Sequence, residues 1–186
     1  MTKILGISGS LRSGSFNTML LKQAARLAPQ GTVIESGSIR GIPLYDGDVE
    51  TASGIPPAVQ ALKENIMACA GLLLVTPEYN HGIPGVFKNA IDWLSRPASG
   101  IPVLFGGRPV AVIGASPGGF GTVLAQEAWL PVLKTLGTRP WFGGSVLVSR
   151  AGGAFDEAGD LKDEAMRTQL RNFLGGFAAF VEANRP

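Results

Sequence analysis

A three-layer α/β domain, with helices covering both faces of a five-stranded parallel sheet, is the fold the sequence predicts. Three observations predict it. Short, near-continuous apolar runs recur along the chain, segments of helical period separate them, and the loops leaving the runs are rich in Gly, Ser and Pro. Strands buried on both faces read as unbroken apolar runs. A strand–helix–strand alternation with short connections makes right-handed crossovers that place helices on both sides of a parallel sheet.

The first run, Lys3–Ser8 (KILGIS), is a strand, and Phe16, Met19, Leu20, Ala24 and Leu27 follow it at helical spacing. Thr32–Ser36 (TVIES) is more polar and reads as an edge strand, and Val59, Leu62 and Ile66 mark the next helix. Leu72–Thr76 (LLLVT) is a central strand, followed by a helix carrying Val86, Phe87, Ala90, Ile91 and Leu94. Pro109–Ala115 (PVAVIGA) is the fourth strand, and its helix is expected to face the core through Leu124, Ala128 and Leu136. Ser145–Ser149 (SVLVS) completes the sheet. A last helix, from about Glu164, aligns Met166, Leu170, Phe173, Leu174, Phe177 and Val181 on one stripe.

With 45% hydrophobic and 16% charged residues and no repeat, residues 1–186 are expected to form a single domain with its own core. A net charge of +2 without a concentrated Lys/Arg run argues against a nucleic-acid partner. No run approaches the ~18 apolar residues of a spanning helix, and Gly6, Ser8 and Ser10 interrupt the stretch where a signal peptide would be apolar. The lone Cys69, set among apolar neighbours, reads as a buried core thiol, and a cytoplasmic protein is expected. No metal site is expected.

Parallel sheets bind ligands outside the carboxyl ends of their strands. Three loops leave those ends: SGSLRSGSFN after the first strand, TPEYNHGIPG after the third and ASPGGFG after the fourth. In the first, Gly9 and Gly14 keep the glycine spacing of a P-loop, but Ser15 and Phe16 stand where its Lys and Ser/Thr would be. The hydroxyls of Ser10, Ser13 and Ser15, the Asn17 amide, Arg12 and the N–H groups at a helix start suit a single terminal phosphate. Taken alone, the loop reads equally as a helix cap at Ser15 with glycines that turn the chain.

GASPG (Gly114–Gly118) matches the G-x-S-x-G of a hydrolase nucleophile elbow. An oxyanion hole needs the N–H of the residue after the nucleophile, and that residue is Pro117. The only histidine, His81, precedes Ser116, against the hydrolase order. What remains is a turn whose Gly118 and Gly119 let backbone approach a flat ligand, with Gly121 an ordinary turn glycine.

Together GSLRSGSFN, TPEYNHGIPGVFKNAIDWL and SPGG resemble the NADPH-dependent FMN reductases, the flavodoxin-like group that includes quinone and chromate reductases. The resemblance implies the flavodoxin-like sheet order 2-1-3-4-5. It implies FMN held by its phosphate at Ser10, Arg12, Ser15 and Asn17, with Phe16 among the cofactor-binding residues. The ring would lie along Pro77, Glu78, Tyr79 and Asn80, with Ser116, Gly118 and Gly119 beside it. Glu78 and His81 read equally as surface polar residues of their loop. The implied activity is an NAD(P)H oxidoreductase in which NADPH or NADH reduces FMN, and a quinone, chromate, azo or nitro compound takes the electrons. No side chain is expected to act as general acid or base. An electron-carrier flavodoxin is the alternative, although such carriers are strongly acidic. The family also implies a homodimer or homotetramer; Trp93 and Leu94 exceed what one helix stripe needs, but such an extended stripe is more often core than interface, so the oligomer rests on the resemblance.

Overall fold

In the computed structural model, which describes residues 1–185, the chain runs β1 (Thr2–Ser8), α1 (Phe16–Arg26), β2 (Thr32–Gly37), α2 (Gly47–Ser53), α3 (Pro57–Met67), β3 (Gly71–Val75), α4 (Gly85–Leu94), α5 (Ile101–Leu104), β4 (Pro109–Ala115), α6 (Val123–Thr135), β5 (Arg139–Pro140), β6 (Leu147–Val148), α7 (Ala151–Ala154) and α8 (Glu164–Ala183). The strands are parallel in the order β2-β1-β3-β4-β5, the flavodoxin-like arrangement. No helix among the described residues is long and apolar enough to cross a membrane.

Alternation within each apolar run fills two core layers. Ile4, Leu73, Val75, Ala111 and Ile113 face α1 and α8, and Leu5, Ile7, Leu72, Leu74 and Val110 face α3, α4 and α6. Cys69 is buried, and that burial pushes its thiol pKa up, away from the reactive thiolate.

The fifth position of the sheet is split. β5 pairs with the start of β4, at Pro109 and Val110, and β6 pairs with its end, at Gly114 and Ala115. The chain leaves the sheet between them because Trp141 packs edge-on against Phe173 of α8, with centroids 4.8 Å apart. Gly143 lies so close to that indole that a Cβ there would be 2.7 Å from it.

One expectation about a helix face is corrected. α6 buries Ala125, Trp129 and Leu133, one residue round from the expected Leu124 and Ala128; Leu124 is exposed. Trp129 decides the rotation: it packs on Phe87, with centroids 4.9 Å apart, and its Nε1–H donates to Thr76 Oγ1 (3.2 Å). The surplus of α4 is also used inside the protomer, since Trp93 is fully buried and donates Nε1–H to Pro43 O (2.9 Å). Trp93 therefore carries no argument for an interface.

Candidate functional site

Phosphate-loop geometry comes from the way α1 starts. Ser15 is its N-cap, in extended conformation, and Ser15 Oγ accepts from Thr18 N–H (3.3 Å). Among the described residues the N–H groups of Phe16 and Asn17 have no acceptor, so they face outward at the positive end of the α1 dipole. Arg12 lies over the Phe16 ring, 5.1 Å from its centroid, and Phe16 stacks on Phe155 at 6.0 Å. The only nearby cation of the motif is thus held by an aromatic pair, with its polar edge exposed.

Asn17 does something its place in the motif does not reveal. It is buried, its Nδ2–H donates to Ala115 O (2.8 Å), and its Oδ1 accepts from Ala115 N–H (2.9 Å). The last β3–β4 pair is Val75 with Ile113, so Asn17 supplies partners for the β4 backbone where β3 has ended. Its side chain ties the first loop to the fourth strand; its backbone N–H is the part left for an anion.

The second loop is a tight hairpin. Tyr79 and Gly82 exchange backbone hydrogen bonds (3.2 and 3.0 Å) around Asn80 and His81, both at positive φ, 50° and 61°. This is the type I′ pattern, and two non-glycine residues in the left-handed region mark stored backbone strain. Glu78 anchors the turn. Its side chain is nearly buried, Oε2 accepts from Ala125 N–H (3.0 Å) in the first turn of α6, and Oε1 lies 3.4 Å from His81 Nδ1. The α6 N-terminus thus faces the Glu78 carboxylate at the cleft. Beneath, Thr76 Oγ1 donates to Pro77 O (2.8 Å).

In the third loop Ser116 Oγ donates to Gly121 O, and Ser116 N–H donates to Val148 O (3.0 Å). A hydroxyl used to close its own turn and followed by Pro117 has no nucleophilic role. The need for glycine falls on Gly121, at φ +63° with Leu147 Cβ 3.1 Å from a would-be Cβ. At ordinary φ, Gly119 stands in open space and a Cβ on Gly118 would make only an ordinary 3.6 Å contact with Ser116 Oγ.

These loops enclose a cleft of about 340 Å³ at the carboxyl ends of β1, β3 and β4. Ser10, Arg12, Ser15, Phe16 and Asn17 form one wall, Pro77, Glu78 and Tyr79 another, and Ala115, Ser116 and Pro117 the third. Asn80, Gly118 and Gly119 lie outside these walls. Ala115 and Pro117 are additions to the expected set, and apolar or cyclic residues in a strand–loop junction give no sequence signal. The donor set fits FMN: free N–H groups, hydroxyls and a guanidinium at one end, and a Pro and Tyr surface at the other, with the sole carboxylate already engaged.

Residues 2–153 match the family described as NADPH-dependent FMN reductase. The chain belongs to this family. It is 46% identical over 183 residues to an NAD(P)H-dependent FMN reductase of Pseudomonas aeruginosa, covering 98% of this chain and 97% of that one. It is 38% identical to a 2-hydroxy-1,4-benzoquinone reductase of a Burkholderia species, over 98% of both chains. Among solved structures, the flavoenzyme NAD(P)H:(acceptor) oxidoreductase FerB of Paracoccus denitrificans superposes over the full length of both chains, with a TM-score of 0.89 at 32% identity. FMN-dependent NAD(P)H oxidation is therefore the activity of this chain, and the electron-carrier reading gives way to it.

Proposed function

We propose that the three-loop cleft holds FMN with its phosphate at the start of α1 and its ring between Tyr79 and Pro117, and that the electrons leave to a quinone. The observation that supports it most is the coincidence of unpaired N–H groups at Phe16 and Asn17 with the Pro77–Tyr79 wall in one cleft. Bound FMN supplies the hydride relay between NAD(P)H and acceptor. The chain supplies the rest. Ser10, Arg12 and Ser15 bind the phosphate, and the α1 dipole stabilises its charge. The hairpin at Tyr79–Gly82, pinned through Glu78 to α6, fixes the ring wall without moving on binding.

The names of the Burkholderia and Escherichia coli relatives, the latter a quinone reductase 35% identical over 186 residues, support the quinone as acceptor. Chromate, azo and nitro compounds fit the same open cleft. Val86, Phe120 and Leu124 are exposed apolar residues on α4, the third loop and α6, the surface a homodimer or homotetramer would cover. A reducing cytoplasm suits a chain whose single cysteine is buried and unpaired.

Purified protein saturated with FMN should lose its yellow absorbance on anaerobic addition of NADPH or NADH and recover it with a quinone. A protein that retains FMN yet stays yellow under excess of both nucleotides overturns the reading.

A further inference from the structure

A second concavity, of about 320 Å³, lies on the other side of the Ser10–Ser13 loop, between that loop, α1 and the segment after β2. It shares Ser10 and Arg12 with the FMN cleft and adds Lys22, Ser36, Ser38 and Arg40. It contains none of Ser15, Phe16 or Asn17, so it is not the cradle at the α1 N-terminus.

Its charge is one-sided. No Asp or Glu lines it, and neither Arg12, Lys22 nor Arg40 pairs with any described carboxylate. Some cations elsewhere are paired, as in Lys3–Glu35 (3.1 Å), Lys88–Asp92 (2.6 Å) and Arg96–Glu50 (2.8 Å), and others, such as Lys63 and Lys134, pair with no described carboxylate; what sets Arg12, Lys22 and Arg40 apart is that all three line one hollow. Arg12 also lines the FMN cleft, so Lys22 and Arg40 are the cations left to this hollow, and an anion seated between them removes their mutual repulsion. Arg40 is held in place at the rim, because its backbone N–H donates to Ser38 Oγ (3.2 Å) and one guanidinium nitrogen donates to Leu11 O (2.7 Å). That leaves most of its planar fork, which suits a phosphate, free.

We propose that this hollow is an anion subsite for a phosphate monoester, and that the ester it takes is the 2′-phosphate of NADPH. Lys22 and Arg40 then set a preference for NADPH over NADH. FMN carries one phosphate, and the α1 N-terminus accounts for it. The reductant brings the next, and because Ser10 and Arg12 line both hollows, the subsite adjoins the FMN cleft across that loop, where an extended dinucleotide can span the two. This rests on the NAD(P)H oxidoreductase reading above.

The test titrates FMN-saturated protein calorimetrically with adenosine 2′,5′-bisphosphate, AMP and inorganic phosphate, in wild type, Lys22→Gln and Lys22→Arg. Lys22 is exposed and lies outside the FMN cleft, so both variants should fold. Wild type should bind the bisphosphate at least about tenfold more tightly than AMP. Lys22→Gln should weaken the bisphosphate about fivefold and leave AMP unchanged, while Lys22→Arg restores it. The NADPH KM should rise in the same proportion with kcat unchanged. Equal binding of bisphosphate and AMP by wild type, or a gap that Lys22→Gln leaves undiminished, overturns the proposal. If Lys22→Gln weakens inorganic phosphate alone, the hollow takes free phosphate and the NADPH assignment falls. A protein that shows the expected bisphosphate dependence but oxidises neither nucleotide leaves the subsite standing and removes the oxidoreductase reading instead.

Discussion

Replacing Asn17 with Ala separates two meanings of the first motif. If the amide were a phosphate ligand, Asn17→Ala would weaken FMN and leave the apoprotein intact. The structure points elsewhere, because Asn17 makes both of its hydrogen bonds to the backbone of Ala115, a residue 1% exposed. Truncation strands a buried N–H and a buried C=O, each costing about 1–3 kcal/mol. Ala115 lines the cleft, so water can reach part of the gap, and the lower half of the summed range, about 2–4 kcal/mol, is the reasonable figure. A chain of this length loses about 2–4 °C of Tm per kcal/mol, so the apoprotein should melt roughly 5–15 °C lower while remaining folded at 25 °C. Thermal unfolding followed by near-UV circular dichroism, with and without FMN, measures it. An Asn17→Ala apoprotein melting within about 2 °C of wild type, with FMN binding lost, would mean that the amide serves the phosphate and not the fold.

Arg12→Ala should show the opposite pattern: Arg12 is exposed, so the apoprotein melts unchanged, while loss of a charge-assisted phosphate contact raises the FMN Kd about 10–100-fold in a fluorescence titration. Glu78→Ala should lower the Tm by about 2–4 °C, because Ala125 N–H loses its cap, and Glu78→Gln, which keeps an acceptor, should recover most of it. Away from the cleft, Arg96 Nε–H (2.8 Å) and then the Tyr45 hydroxyl (2.9 Å) donate to Glu50 Oε2 and hold its carboxyl pKa below the ordinary value of 4.5. A lowered folded-state pKa gives stability that is present above 4.5 and lost as pH falls through the folded value, so Glu50→Gln should flatten the fall of Tm as the pH drops below 4.5.

The layers and the rim of the sheet were legible because periodicity survives in the sequence. KILGIS and GLLLV are apolar at consecutive positions since Ile4 and Leu5, like Leu72 and Leu73, face opposite core layers. Periodicity failed where one large side chain outweighed it. Trp129 turned α6 by a residue, and Trp141 pulled the fifth strand out of the sheet. Neither outcome is available from spacing, because each depends on a partner, Phe87 or Phe173, that only the fold brings near.

The motif residues were legible as a group and not in their roles, and the reason is geometric. A cleft made by three loops from three strands needs groups that bind and groups that hold the loops together, and both kinds are polar. Asn17 reaches Ala115 across 98 positions, Glu78 reaches Ala125 across 47, and Ser116 closes onto Gly121. Each side chain spent this way satisfies a backbone group that would otherwise point, unpaired, at the ligand. The Ser10 hydroxyl proton, the Arg12 guanidinium and the N–H groups of Phe16 and Asn17 are then left as donors without an acceptor among the described residues, which is the condition for binding an anion without prior rearrangement. By the same reasoning Lys22 and Arg40, which belong to no motif, stand out as cations left without a carboxylate beside one hollow. In this fold the sites declare themselves by the donors the protein has not used.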